Sequence, residues 1–471
     1  MAGITTKHAD YDANIGLWKK VDDVCKGQKT IKDAGKSYLP VPETFGSGDA
    51  ERYKDYLGRA VFYGVTGRTL GSYVGTAFNK LPDFTRPDEL EYLERNADGS
   101  GRSIFQCSQR MLRSILKQYR CGVYVDYPTV AASKNRAEDK IKGAYPMIHI
   151  LEATVIEDWD HIVVGNQRKL CFVKIRESVS EREPDGFGSK TQDQYRVLRL
   201  EQSEQGFVYT VQVYILDKDK NWVAQEKIIP TDYSGTAWEY IPFTFCGAVD
   251  NTDEINNAPL LDLSDLNLAH YRNSADVEES GFIIGQPTVS LPDVKMEQYE
   301  IIKRDGLAIG TRSGFPTKVE IVQAQENNLA KQLMNEKMTA MKELGARLIE
   351  VGSANKTATQ ADNEDSIQHS VVSLAVSNIS EALTMALRWC TKFALVNHEF
   401  GPDKLNYLIS QDFNKPKFSE ERAKRLYDAA ISEHLPWSVW YKYEQTGAFS
   451  ELSFEEMRIK LDQEKAGGFD E

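Results

Sequence analysis

Residues 329–350 read LAKQLMNEKMTAMKELGARLIE, and residues 351–366 read VGSANKTATQADNEDS. In the first piece Leu333, Met334, Met338, Met341, Leu344, Leu348 and Ile349 recur at helical spacing, with few β-branched residues to oppose a helix. The second piece is sixteen small or polar residues with one strongly apolar member, Val351. Helical spacing resumes at Ile367 and runs through Val371, Leu374, Ile379, Leu383, Leu387 and Phe393. A polar loop of that length between two long helices lies in water or on a partner. The pattern predicts a rod, an exposed loop and a second rod.

The bulk numbers set the frame around it. At 471 residues the chain can hold two or three cores, and 41% hydrophobic with 10% aromatic residues makes it a folded protein. It has no run of about 18 apolar residues, and MAGITTKHADYDANIG at the start lacks the apolar core of a signal peptide. It is therefore expected neither to span a membrane nor to be secreted by that route. The six cysteines form no CxxC and read as reduced, buried, small hydrophobes of a cytosolic protein. A net charge of −13 disfavours a protein that grips nucleic acid by neutralising phosphates. Any contact with DNA should be slippery or confined to a few lysines.

The rest of the chain divides by period. Residues 50–80 read as helical, and Gly64, Gly67, Gly71 and Gly75 stand three to four apart, a spacing that lets another backbone approach one helical face. Residues 104–119 form a clear amphipathic helix with Met111, Leu112, Ile115 and Leu116 inward, ended by Gly122 and followed by a short strand, VYVDYP, stopped at Pro128. From about 145 to 245 the period is two, and turn signals such as Gly165-Asn166 and Asp185-Gly186 separate the segments. This predicts an antiparallel sandwich or curved sheet. Residues 259–280, PLLDLSDLNLAHYRNSADVEES, return to helix, with Gly281 closing it. Short strands follow over 282–325 (FIIG, PTVSL, YEIIK, LAIG, KVEIV). The tail predicts helices at 418–433 and 453–465, joined by the Trp/Tyr-rich PWSVWYKYEQTG.

No catalytic chemistry stands out. GSANKT at 352–357 lacks the second glycine of a phosphate loop and a preceding strand. The histidines form no HxxxH or HxH, so no metal or cofactor is expected. WDH at 159–161 reads as a turn between strands, and no nucleophile motif occurs in a credible context. The chain is expected not to be an enzyme, although a site assembled from distant segments stays open as an alternative. On the first rod, Glu336, Glu343 and Glu350 recur every seven residues along one stripe, and Lys331 and Lys342 share another. These charges are either a solvated surface or, in a ring of identical helices, a face that lines a channel or meets the neighbouring subunit.

The order of segments, and six stretches within it, resemble the portal proteins of tailed bacteriophages and related prophages. The stretches are YKDYLGRAVFYGVTGRTLGSYVG, the 104–119 helix with RCGVYVDYP, YIPFTFCGA, PLLDLSDLNLAHYRNSAD, GARLIEVGSANKTATQA and SLAVSNISEAL. The likeness covers about 50 to 465. It implies an α+β portal fold: a wing of N-terminal helices and a β-rich block (1–257), a first stem helix (258–281), a small β-containing clip (282–327) and a second stem helix (328–351). A tunnel loop (352–366) and a region holding the long helix, the returning wing and a short tail (367–471) complete it. With only about 70 residues after Asn397, no large crown is expected.

By position, the resemblance makes Ser353, Asn355, Lys356, Thr357, Thr359 and Gln360 the DNA-facing part of the tunnel loop, with Lys356 the one cation there. It makes Lys331, Glu336, Lys342, Glu343 and Glu350 the channel or subunit face of the stem, and Lys303, Arg304 and Lys318 the docking residues of the clip. The implied function is a ring of about twelve copies at one capsid vertex, a channel for DNA packaging, retention and ejection. The implied partners are the large terminase subunit, head–tail adaptor and tail proteins, major capsid and scaffolding proteins, and double-stranded DNA bound without sequence specificity; no membrane is involved. Its place would be the virion, after assembly in the host cytoplasm. The alternative is another head–tail adaptor or capsid-associated structural protein.

Overall fold

The computed structural model describes residues 3–43, 50–127, 144–204, 206–217, 219–285, 288–290, 297, 320–322, 328–347, 371–395, 399–411, 420–432, 434–446 and 454–466. They fall into two compact units, Met1–Ile409 and Ser410–Glu471, and the chain is mixed α and β.

In the first unit, helices α1 (Ala9–Lys26), α2 (Gln28–Asp33), α3 (Ala50–Arg59), α4 (Val65–Ala77) and α5 (Ile104–Gln118) precede most of the strands, with β1 (Asp83–Thr85) between α4 and α5. The helix expected over 50–80 is thus two helices, broken at 60–64. The glycine row does less than its spacing implies. A Cβ at Gly67 would lie 2.6 Å from the Cys25 carbonyl oxygen, but at Gly64, Gly71 and Gly75 it would meet nothing within 4 Å.

Helix α5 follows its sequence closely. Ser103 and Gln106 form a reciprocal capping box at its start, and Ile104, Met111, Leu112, Ile115 and Leu116 are fully buried. Its end is different from the expectation. Tyr119, not a glycine, takes the positive φ of 68° after the last turn. Gly122 lies inside strand β2 (Arg120–Asp126), where an added Cβ would stand 2.7 Å from both Ile156 Cδ1 and Phe243 Cζ. Glycine is required there by side-chain crowding, not by a helix cap.

The period-two region, together with β2, forms two antiparallel sheets. The first has the order β3–β2–β9, with β3 at Met147–Glu152 and β9 at Phe243–Gly247. The second has the order β4–β5–β6–β7–β8: Ile156–Val164, Gln167–Arg182, Ser189–Ser203, Gly206–Leu216 and Trp222–Ala224. Strand β2 is buried on both faces through its first six residues, so it recruits cover on each side and cannot be one wall of a simple sandwich. Trp159–Asp160–His161, expected as a turn, lies within β4 at a register shift between Asp160 and His161. The bulge lets a polar triplet stay in a strand. The sheets are tied by the Tyr124–Tyr209 hydroxyl contact at 3.0 Å and by Arg196 Nη1 donating to Asp126 Oδ2 at 3.2 Å.

Next come α6 (Leu261–Ile284), β10 (Thr288–Ser290), β11 (Glu320–Val322), α7 (Asn328–Arg347), α8 (Val371–Ala394) and β12 (Asn406–Leu408). Helix α8 is the centre of the unit. Val376, Ile379, Leu383, Leu387 and Cys390 are fully buried, and the helix packs on α5, β2 and β9. Each large aliphatic side chain so buried contributes about 2 kcal/mol. Its Ser380 and Thr384 hydroxyls accept the Ile409 and Tyr407 amides, each at 3.1 Å, which anchors β12 for pairing with β1.

The second unit holds α9 (Glu420–Ile431), α10 (Trp437–Thr446) and α11 (Phe454–Ala466). The Trp/Tyr-rich segment expected as a linker is itself α10. Glu464 of α11 caps it, accepting the Trp437 amide at 2.7 Å and the Ser438 amide at 3.3 Å.

All six cysteines are free; Cys107, Cys121, Cys246 and Cys390 are buried, and Cys25 and Cys171 are partly so. Among the described residues no group of His, Cys, Asp and Glu is placed to hold a metal ion, and no helix is long and apolar enough to cross a membrane.

Candidate functional site

Two helices and two short strands make a hairpin that leaves the body of the first unit and returns to it. Helix α6 begins after Pro259 and is fixed by a polar ladder on its buried side. Ser264, Asn267, His270 and Ser274 recur at three- and four-residue spacing and are each no more than 2% exposed. Asn267 donates to the Tyr63 carbonyl at 2.8 Å and accepts the Thr66 amide at 3.2 Å. Ser274 donates to the Val61 carbonyl at 2.9 Å and accepts the Val61 amide at 3.3 Å. These side chains take the backbone groups freed by the break between α3 and α4, which is why the break is tolerated in a buried place.

The helix does not stop at Gly281 and runs on to Ile284, so the strand expected at FIIG is helix. Contacts from α3 hold this last part. Arg59 pairs with Glu279 at 2.5 Å and its guanidinium lies 4.1 Å from the Phe282 ring centroid, while Tyr56 donates to Asp276 at 2.8 Å. Gly285 then closes α6, its amide bonded to the Gly281 carbonyl at 2.9 Å.

The return leg matches in register. Strands β10 and β11 pair antiparallel with Thr288 opposite Val322, and Lys337 of α7 donates to the Asn273 side chain of α6. Fifteen residues separate Asn273 from Thr288, and fifteen separate Val322 from Lys337. The two legs therefore advance in step from Asn273 and Lys337 to the β10–β11 pair. The far end of α7 is pinned to α4 by the Tyr73 hydroxyl, which donates to the Gly345 carbonyl.

Helix α7 buries Ala330 and Met341 and turns the opposite side to water. Lys331, Glu336 and Glu343 border one wide polar face with Asn328, Gln332, Asn335 and Thr339. The acidic and basic stripes read separately in the sequence thus share a face, and Gln332 bridges to Glu336 at 3.0 Å. Lys342 is exposed as well. Leu333, one of the periodic apolar residues, is 37% exposed and Leu329 63%, while Ala330 between them is buried. Glu350 lies outside the described residues, as do Lys303, Arg304, Lys318, Ser353, Asn355, Lys356, Thr357, Thr359 and Gln360. The polar ladder on α6 was not singled out from sequence, although serine, asparagine and histidine at helical spacing among leucines carried the signal. Burial, and to a lesser degree Lys337, lowers the pKa of His270 in this ladder.

The class defined by this arrangement is a mixed α/β body carrying an antiparallel helix pair, a short two-stranded pair between those helices in sequence, and a buried helix as the next described element. A family model described as a domain of unknown function (DUF4055) matches residues 259–394, which run from the start of α6 to the end of α8. No curated protein matches the chain. Among solved structures, the chain is similar to the neck of an empty gene transfer agent (GTA) particle computed with C6 symmetry, at 12% identity over 92% of this chain and 99% of that one, with a TM-score of 0.37. It is also similar to a chain of the virion of the native GTA particle, at 14% identity over 92% and 98%, with a TM-score of 0.38. A third is the neck of the native particle computed with C12 symmetry, at 12% identity over 92% and 99%, with a TM-score of 0.36. A likeness of that depth carries no functional argument.

Proposed function

We propose that this chain is the subunit of a portal ring, the channel at one vertex of a tailed-phage capsid through which DNA is packaged, retained and released. The observation that carries the reading is the hairpin: α6 and α7 in step with β10 and β11, with the buried helix α8 next among the described elements. That is the order the sequence resemblance implies for stem, clip, stem and long helix. In this reading the clip, 282–327, docks the packaging motor and later the tail adaptor, and 352–366 face the DNA.

Charge supports the same function. A channel that passes DNA in both directions should not hold it, and a chain with net charge −13 satisfies that. The exposed face of α7 around Lys331, Glu336 and Glu343 is mainly polar and mixed in sign, with Leu329 and Leu333 exposed at its start. The subunit needs no catalytic residue of its own; hydrolysis of ATP falls to the terminase partner. The scaffolding and capsid proteins place the ring in the virion.

Electron microscopy of the purified full-length chain, alone and co-expressed with the scaffolding and capsid proteins of the same genome, tests the reading. A closed ring of about twelve copies in either preparation is the expected result. A chain that stays monomeric in both overturns it.

A further inference from the structure

Two titratable side chains on the buried side of α6, His270 and Tyr271, have no hydrogen-bond partner among the described residues, and burial pushes the tyrosine up to about 12, which leaves the histidine as the group that titrates near neutral pH. His270 is 0% exposed, and neither ring nitrogen has a hydrogen-bond partner among the described residues. Its neighbours on the ladder, Asn267 and Ser274, are bonded on both donor and acceptor sides. The ring stands edge-on to Tyr63, with centroids 5.1 Å apart.

The charged group that bears on His270 is Lys337 of the facing helix α7. Asn273, one turn along α6, holds the Lys337 ammonium in place. The other charged groups packed against α6 are occupied at other levels. Lys20 of α1 pairs with Asp265 and Arg59 of α3 with Glu279, each at 2.5 Å, and Tyr56 of α3 donates to Asp276. No carboxylate is among the groups acting on His270. A neutral imidazole is compatible with this place. An imidazolium would be a buried, unpaired charge beside a second cation.

We propose that His270 makes the α6–α7 joint acid-sensitive: proton uptake at its ring loosens α7 from α6 while the sheets and α8 stay folded. The sign follows from linkage. Burial first, and Lys337 second, keep the proton off the imidazole in the closed joint. In the opened joint the ring meets water and titrates near its ordinary value of about 6.5. The closed form is therefore fully favoured above that pH and is lost as pH falls below it. At pH 5.5 the shift in the joint's equilibrium reaches about tenfold. This inference rests on the helix pair alone and holds whether or not the chain forms a portal.

Hydrogen–deuterium exchange of the full-length chain at pH 7.5 and 5.5, corrected for the intrinsic pH dependence of exchange, tests it. The expected result is an increase of about tenfold in the opening of α7 amides at pH 5.5, with β5, β6 and β7 little changed. His270→Gln should abolish the increase. Lys337→Gln should shrink it, since the closed joint then resists the proton less. Protection of α7 that is equal at the two pH values overturns the proposal. So does acid loosening that neither substitution alters.

Discussion

Gly67 of α4 sits against the backbone of Cys25 in α1, so near that a Cβ at position 67 would stand 2.6 Å from the Cys25 carbonyl oxygen. Both partners in that contact are helix backbone, and neither can rotate away. Gly67→Ala is expected to push α1 off α4 and to lower stability by about 2 kcal/mol. Gly71 is on the same helix but open, and Gly71→Ala should raise stability by about 0.5–1 kcal/mol through the unfolded chain. Denaturant midpoints of the two variants should move in opposite directions; movement in the same direction would refute the packing of α1 on α4.

Lys174 is 1% exposed and donates to the Ile4 carbonyl at 3.0 Å and to the Thr6 carbonyl, so a buried ammonium pins the N-terminal segment to β5. Glu157, 2% exposed, lies 3.9 Å from that ammonium and also pairs with Arg176 at 3.2 Å. Lys174→Met keeps the length of the side chain and removes its charge. Charge-assisted bonds of this kind contribute about 1.5–3 kcal/mol each, so the variant should lose about 2–3 kcal/mol. It should also free residues 3–8 for limited proteolysis at native pH. Resistance equal to that of the wild type would mean the strap is held by other contacts.

The rods were legible because a 3.6-residue period in Met338, Met341 and Leu383, Leu387 leaves little choice of structure. The spacing of Met111, Leu112, Ile115 and Leu116 likewise made α5 readable, although its capping box at Ser103 and Gln106 was not read. What was not legible depends on contacts between distant segments. Gly122 looks like a helix stop until Ile156 and Phe243 are seen to fill the space beside it. Gly281 looks like another stop until Arg59 holds the following turn through Glu279 and Phe282. The tail segment 436–447 is rich in tryptophan and tyrosine, which favour helices weakly, yet Trp437 and Trp440 stack with Tyr427 and Glu464 caps the helix. In the site, the exposure of Lys331, Glu336 and Glu343 could be read from charge alone. Their sharing of one face could not, because it depends on which side of α7 meets α6.

The first unit should lose stability in mild acid through His149 of β3. Burial, with Arg196 adding to it and Asp126 opposing, lowers the pKa of His149. A lowered histidine pKa means the unfolded chain binds the proton first. The stabilisation is present above about pH 6.5 and fades as pH falls below it. The urea midpoint should thus drop between pH 7.5 and 5.5, and His149→Gln should reduce the drop. A drop of the same size in the variant would assign the acid sensitivity elsewhere.

The polar loop is testable apart from its structure. In the portal reading, removing residues 353–361 takes away Lys356 and leaves α7 and α8, with their contacts to the body, unchanged. Rings should still assemble, since α8 is held by α5, β2 and β9. Capsids carrying the deletion should package or retain less DNA, read as DNA content per particle. Normal filling and retention would remove the loop from the DNA path.

The polar face of α7 separates the two uses the portal reading allows for it. Glu336 and Glu343 are exposed, and the Gln332–Glu336 contact is a surface bond that adds little. Glu336→Lys combined with Glu343→Lys should therefore leave the unfolding midpoint at the wild-type value. A subunit interface would normally bury apolar groups, and the residues lining this face are polar except Ala340, with Leu329 and Leu333 exposed beside its start. The double variant should thus still form rings, but lysines in place of glutamates would hold passing phosphates. DNA ejection should slow, and the slowing should weaken as salt is raised. Rings that fail to assemble would make the face an interface between subunits; rings that eject DNA at the wild-type rate would make it plain solvated surface.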